Sequence, residues 1–379
     1  MARLGRIAVK RGRNVLSATK ERIKYIFDNY DNIKLSFSGG KDSTALYYLL
    51  SEEAIKRNRK FYLFFLDQEA EYQATIDLVQ HMMRQKHVIP LWYQIPIFMT
   101  NAVSSTQMFL WAWGIGEEWV REKNDIAIHN IDEQYPKRFY KFVKYANCKF
   151  NKLKGRNVSL IGLRAEESLH RRGLLYGKDN NLFYFIQNRK NIIDTAYPII
   201  DWGYKDVWKY IIDNGYEYNK IYDKMYALGK SLRSMRVSCL IHEKAFKCLS
   251  DLQELEPETY NKLEKRLEGV HCGAMYANDN FMYNIKKLPP SFNTWYDYKN
   301  SLLKTINKEL ARIFEYQWSR FGDTKDEDAN KYMVKRILLC DWEGNITWAK
   351  DNFYYTKEQL KEKHAIKKTD LVIQKWFNL

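Results

Sequence analysis

Residues 36–44, Ser-Phe-Ser-Gly-Gly-Lys-Asp-Ser-Thr, bring a glycine pair, several hydroxyls, an ammonium and a carboxylate together in one short stretch. The chemistry these types suit is phosphate binding. Gly39 and Gly40 let backbone N–H groups approach an anion, and Lys41 with the hydroxyls of Ser36, Ser38, Ser43 and Thr44 offers further donors. Ile33, Leu35 and Phe37 alternate with polar residues as a strand does, and Leu46, Leu49 and Leu50 recur at helical spacing. Asp42, Ser43 and Thr44 are helix-starting residues. Strand, Gly-rich turn and helix N-terminus, in that order, aim unpaired amides and the helix dipole at a bound anion. The spacing is not that of a Walker A loop. Ser38, Lys41 and Asp42 are therefore candidate catalytic as well as phosphate-binding residues.

Two further strand ends carry polar residues. The apolar run Phe61–Leu66 ends in Asp67-Gln68-Glu69, at the carboxyl edge where α/β sheets hold ligands. Val158–Ile161 runs into Gly162-Leu163-Arg164-Ala165-Glu166-Glu167-Ser168, and Arg164 can present a planar fork to phosphate. Asp67, Glu69, Gly162 and Arg164 join the candidate cofactor-binding set, with Arg164 also a candidate catalytic residue. Arg171 and Arg172 suit either an anion or a surface helix. Gly229, Lys230, Ser231, Arg233, Ser234 and Arg236 form a basic stretch able to close over an anion.

The chain has five cysteines, an odd number at wide spacing, which suits a reducing compartment better than a disulfide framework. Cys148, Cys239, Cys248 and Cys272 match in number the ligands of an Fe–S cluster or a zinc site, although none has knuckle spacing; buried free thiols are the alternative.

These groups need a framework of alternating strands and helices. Residues 1–30 read as a basic arm and a leading helix, with Ile23, Ile26, Phe27 and Tyr30 on one face. Residues 31–240 read as a nucleotide-binding α/β domain, with a further helix over about 71–86 and a third strand from Val88 to Ile95. Residues 98–150 are expected to be a helical insertion rather than part of a sheet. Its Trp111, Trp113 and Trp119 suit either base stacking or a core. Tyr204–Ile212 forms a helical face stopped by Asn214-Gly215. Residues 241–379 read as a mostly helical region, with helices at 251–268 and 301–318 and a turn about Trp342 and Gly344–Trp348.

At 379 residues and 45% hydrophobic the composition is globular, and no apolar run is long enough to span a bilayer. With no secretory signal pattern, a cytoplasmic location without membrane contact is expected. The net charge of +16 favours a polyanionic partner, nucleic acid first and nucleotide second, against the alternative of a solvated surface. The charge gathers in Arg3, Arg6, Lys10, Arg11 and Arg13, and again between Lys137 and Arg156, where no acid occurs.

The string Ser-Phe-Ser-Gly-Gly-Lys-Asp-Ser resembles the PP-loop of the ATP pyrophosphatase superfamily. Together with Asp67, Glu69, Tyr72 and Thr75, Gly162–Ser168, Tyr197–Ile212 and Tyr222-Asp223, it resembles the phosphoadenosine phosphosulfate (PAPS) reductase family. The nearest flavour is its immunoglobulin-binding regulator subgroup; the sulfurtransferase of DNA phosphorothioation is more distant. The resemblance implies an adenine nucleotide α-hydrolase (HUP-like) fold, a doubly wound parallel sheet with helices on both faces. It places ATP phosphates on residues 38–44, adenosine near Asp67 and Arg164 near the phosphates.

The sequence departs from the reductases where their thiol chemistry resides. It has no C-terminal Glu-Cys-Gly-x-His motif, and His271-Cys272-Gly273 has the wrong order. The expected activity is ATP-dependent adenylation of a substrate with release of pyrophosphate. Mg²⁺ would be held with Asp42 or Asp67, and sulfur or nitrogen transfer would follow, on DNA or tRNA. Cys239 or Cys272 would be the persulfide candidates. The alternatives are a PAPS-binding reductase or sulfotransferase, and a nucleotide-sensing regulator acting on DNA with a protein partner.

Overall fold

In the computed structural model, the described residues are 14–104, 106–107, 109–131, 134–168, 171–172, 186–189, 192–242, 248–277, 279, 285–341, 344 and 346. The basic arm before residue 14, the turn tryptophans 342 and 348 and the C-terminal residues fall outside them. Two compact units divide the chain: Met1–Phe98 with Trp111–Cys239, and Met99–Leu110 with Leu240–Leu379.

The first unit opens with α1 (Val15–Asn29), whose N-terminus is capped by the Asn14 side chain accepting from Ser17 N. Then follow β1 (Asn32–Ser36), α2 (Lys41–Lys56), β2 (Phe61–Leu66), α3 (Gln73–Met83) and β3 (Val88–Tyr93). After β4 (Ile97–Thr100) and β5 (Phe109–Ala112) come α4 (Phe139–Phe150), β6 (Asn157–Ile161), β7 (Ile186–Arg189), β8 (Ile192–Ala196), α5 (Tyr204–Asp213) and α6 (Ile221–Ala227). The strands form a six-stranded sheet in the order β3-β2-β1-β6-β8-β7. All neighbours run parallel except the β7–β8 pair at the edge.

Side-chain alternation assigns the two faces of the sheet. Ile33 and Leu35 of β1, Phe61, Leu63 and Phe65 of β2, and Val158 and Leu160 of β6 share one buried cluster with α1, α2, α3 and α5. The intervening residues face α4. Phe142 packs edge-on against Tyr93, Phe150 against Tyr62, and Asn147 receives a hydrogen bond from Lys34. Helices thus cover both faces. A buried bidentate pair, Arg22 to Asp201 at 2.8 and 2.7 Å, ties α1 to the loop after β8.

Strand order reverses at β1. β2 and β3 extend to one side of it, β6 and β8 to the other, so the carboxyl ends of β1 and β6 flank a topological switch point. The 98–150 segment meets the helical expectation in α4 but departs from it earlier: β4 and β5 pair as a two-stranded ribbon, through which the chain leaves the first unit and returns. Both are short runs of mainly apolar residues, a pattern that periodicity cannot assign.

The second unit is helical: α7 (Leu249–Leu255), α8 (Pro257–Arg266), α9 (Val270–Tyr276), α10 (Trp295–Thr305), α11 (Lys308–Trp318) and α12 (Glu327–Leu338). Each helix expected there is two, because Pro257 can only begin a helix and Asn307 caps a new one. Gly269 and Gly273 lie against Val103, where an added Cβ would come within 2.1 and 2.5 Å of its atoms. No helix among the described residues is long and apolar enough to cross a membrane.

Candidate functional site

The chain leaves β1 at Ser36 and turns through Gly39, at φ +67°, into α2. A Cβ on Gly39 would lie 2.6 Å from Thr75 Cγ2, so both backbone and space call for glycine. Two serines brace the turn. Ser43 Oγ donates to Gly40 O at 2.9 Å, Ser38 N donates to Ser43 Oγ at 3.3 Å, and the two hydroxyls are 3.1 Å apart. No side chain caps α2, and its first helical bond is Thr44 N to Gly40 O at 2.9 Å. Lys41 N donates to the Tyr222 hydroxyl at 3.1 Å. The Asp42 and Ser43 amides, as first-turn donors, have no acceptor within the helix. Thr44 Oγ1 is buried without a hydrogen-bond partner. At Gly162 a Cβ would come within 3.0 Å of Ser43 N, so that glycine lets the end of β6 press against this helix start.

Positive charge gathers around Asp42. Arg164 Nε donates to Asp42 Oδ1 at 2.5 Å and its Nη1 to Glu166 Oε2 at 2.9 Å, with the guanidinium nearly buried. Lys41 Nζ donates to Met235 O at 2.9 Å and lies 3.9 Å from Asp42 Oδ2. Burial pushes the Lys41 ammonium below its ordinary value; Arg164 and Arg236 add to that and Asp42 opposes it. Arg171, paired with Glu167, is lowered first by burial and then by Arg236, with Arg164 adding to it. Lys41, Arg164, Arg171 and Arg236 therefore share one field, together with Asp42, Glu166 and Glu167, which pair with Arg164 and Arg171. Ser36, Ser38, Gly39, Gly40, Ser43, Thr44 and Gly162 lie at this same edge.

Asp67 and Glu69 are employed differently from the nucleotide contacts expected of them. Both are fully buried. Asp67 Oδ2 accepts from Trp92 Nε1 at 3.1 Å and Gln94 Nε2 at 3.0 Å, and its Oδ1 from Glu69 N at 2.9 Å and from Arg121. Glu69, at φ +64°, accepts from Trp113 N at 2.8 Å and Val120 N at 3.2 Å. These carboxylates fasten the 113–121 loop to the end of β2. Asp67, with four donors, does not fit a Mg²⁺ ligand. Asp42, whose Oδ2 has only a distant ammonium, fits the single carboxylate that Mg²⁺ takes beside substrate phosphates. Trp113 is wholly buried, while the half-buried Trp111 stacks on Phe98 at 5.9 Å and the half-buried Trp119 donates to Gly114 O. Neighbouring Glu71 is pushed up to about 8, by burial first and the Asp67 charge second.

Sequence reasoning missed Asn219. Its Nδ2 donates to Thr75 Oγ1 at 2.8 Å and to Gly39 O at 3.2 Å, and its Oδ1 accepts from Ile221 N. It joins the phosphate loop, α3 and α6 in one buried node. An Asn just before a helix was the available signal, but it reads equally as an ordinary cap.

The four cysteines proposed as metal ligands do not form a site. Cys148 and Cys272 are exposed, Cys248 is half-buried and Cys239 is buried. Among the described residues no group of three or more His, Cys, Asp or Glu side chains is placed to hold a metal ion. The described residues therefore show no ligand set for an Fe–S cluster or a zinc site.

Comparison with known proteins agrees with this geometry. The profile of the phosphoadenosine phosphosulfate reductase domain matches residues 32–229, and that of a domain of unknown function (DUF3440) matches residues 229–327. Uncharacterized protein YbdN of Escherichia coli (strain K12) is 29% identical over 319 residues, 79% of this chain and 77% of that protein. Adenosine 5'-phosphosulfate reductase of Staphylococcus epidermidis is 27% identical over 207 residues, 54% of this chain and 72% of that enzyme. The phosphate complex of PAPS reductase from Candida auris aligns with 18% identity and a TM-score of 0.32, over 56% of this chain and 86% of that one. With one profile spanning just over half of the chain and bracketing the phosphate loop, Arg164 and Tyr222, this protein belongs to the phosphoadenosine phosphosulfate reductase domain family.

Proposed function

We propose that this protein binds ATP with its phosphates on residues 38–44 and adenylates an acceptor, releasing pyrophosphate. The observation that carries the reading is the open start of α2, with Asp42 and Ser43 amides free of helical acceptors and a field of four cations around it. A nucleophilic acceptor oxygen attacks the α-phosphorus and gives up its proton to solvent. The bond from the α-phosphorus to the bridging oxygen breaks, and the electron pair leaves with pyrophosphate. The helix amides, Lys41 and Arg164 hold the charge that grows on that leaving group. Mg²⁺, if held by the Asp42 carboxylate, would supply further neutralisation of the phosphate charge. The adenylated acceptor is then open to an external sulfur or nitrogen nucleophile, which expels AMP.

Incubating the protein with ATP, Mg²⁺ and candidate acceptors tests this. Pyrophosphate and AMP should form, and Ser38→Ala with Asp42→Ala should reduce their rate at least 100-fold while leaving the circular dichroism unchanged. Unaltered release from that variant would place the chemistry elsewhere.

A second reading has a sulfonucleotide as ligand, supported by the identity shared with a reductase. It predicts that a 3'-phosphorylated adenosine nucleotide outcompetes ATP. ATP binding without any product under these conditions would instead fit a regulator, the role suggested by the immunoglobulin-binding regulator subgroup.

A further inference from the structure

The structure points to a second functional surface on α4. Buried Phe142, Ala146 and Phe150 recur every fourth residue and seat one side of the helix on the sheet. The solvent side carries Lys141, Lys144 and Lys149, all exposed, and the loop beyond adds exposed Lys152, Lys154 and Arg156. No acid occurs anywhere between Lys137 and Arg156. A merely solubilising helix mixes signs, as Arg57–Glu53 on α2 and Lys209–Asp213 on α5 do here. α4 instead keeps like charges at neighbouring turns, an arrangement that favours a polyanion.

Aromatic residues are interleaved with these cations. Tyr140 is 61% exposed, and the Lys137 ammonium lies 3.7 Å from the Tyr135 ring centroid. Such a mixture suits an unpaired strand, whose bases have open faces for stacking. The direction of the helix is also fixed by its packing. Phe142 meets Tyr93 at the carboxyl end of β3, whereas Phe150 meets Tyr62 near the start of β2. The basic stripe therefore runs along the sheet from Lys141, near the edge that carries the 38–44 turn, to the 151–156 loop, where Arg156 bonds to Asp31 at the start of β1 on the opposite edge. At about 18 Å, α4 matches roughly five nucleotides of one strand.

We propose that α4 and the 151–156 loop dock a single-stranded segment of nucleic acid, which supplies the acceptor for the adenylating reaction. The surface stands on its own observations; only the acceptor role rests on the adenylating reading.

Fluorescence anisotropy of labelled single-stranded RNA and DNA oligomers against the full-length protein, between 50 and 200 mM salt, tests the docking. Wild type should bind with a marked salt dependence. Lys144→Glu/Lys152→Glu/Lys154→Glu should bind at least ~30-fold more weakly, with a salt slope shallower by about 2. Tyr140→Ala, which leaves charge intact, should weaken single strands several-fold and duplexes hardly at all. ATP affinity should be unchanged in both. A preference for RNA or for DNA would identify the source of the strand.

Equal affinity of wild type and the triple variant, or binding to anionic vesicles but to no oligomer, would overturn the proposal. Pyrophosphate release without oligomer binding would sink the docking surface and leave the adenylating reading standing; oligomer binding without pyrophosphate would do the reverse.

Discussion

Lys34 lies in the middle of β1, 1% exposed, with its ammonium over the Phe64 ring at 4.8 Å and donating to Asn147. Burial lowers it to about 7. Between that value and the ordinary 10.5 the unfolded chain holds a proton that the folded chain has shed, so stability rises with pH across this window. Lys34→Met should be more stable than wild type by about 2 kcal/mol or more at pH 6–7, and the gain should shrink towards pH 10.5 in denaturant titrations. Glu71 works in the opposite direction. Its carboxyl is raised to about 8, so wild-type stability falls as pH rises from about 4.5 to 8. Glu71→Gln should match wild type near pH 4.5 and exceed it by about 1–3 kcal/mol above pH 8. Neither effect was legible in the sequence. Lys34 alternates with Ile33 and Leu35 as a solvent-facing residue would, and only the crossover of α4 onto that face buries it. The conformation of the 38–44 turn, by contrast, was legible residue by residue, because a positive-φ glycine, paired serines and a helix start are all local requirements. The bonds that bury Asp67 and Glu69 were not legible, because their partners Trp92, Gln94, Trp113 and Arg121 are distant in sequence.

Among the elements, β1-α2 and β6 are joined by contacts that leave no room for a side chain at Gly162. Gly162→Ala sets a Cβ against the Ser43 amide and should push the start of α2 out of place. We expect a loss of at least 10-fold in nucleotide affinity with a change in stability of only about 1–2 kcal/mol, read by calorimetric titration and thermal melts. Asn219→Ala removes the node between the loop, α3 and α6. It should destabilise by about 2 kcal/mol and weaken nucleotide binding together, since Gly39 O and Thr75 Oγ1 both lose a donor. β1 could be read from its alternation, and β2 and β3 from their largely apolar runs. β8 could not: Ile192-Ile193-Asp194-Thr195-Ala196 shows no alternation, and it is a strand because β6 offers it a parallel partner.

At the scale of the whole molecule, the fold and the family follow from the first unit, where the sheet order and the phosphate loop reinforce one another. The helical character of the second unit was readable from composition, but its breaks depended on the single residues Pro257 and Asn307. The overall charge of +16 is not spread evenly, and the acid-free basic run from Lys137 to Arg156 covers α4 and the residues on either side of it.

The central claim is that nucleotide phosphates sit at the start of α2 between Arg164 and Lys41. Calorimetric titration of ATP with Mg²⁺ into wild type and Arg164→Ala tests it most directly. The account predicts saturable binding of one ATP per chain, weakened by at least ~30-fold in the variant, with pyrophosphate competing at the same site. Equal affinity in the two proteins, or binding that pyrophosphate leaves untouched, would contradict it.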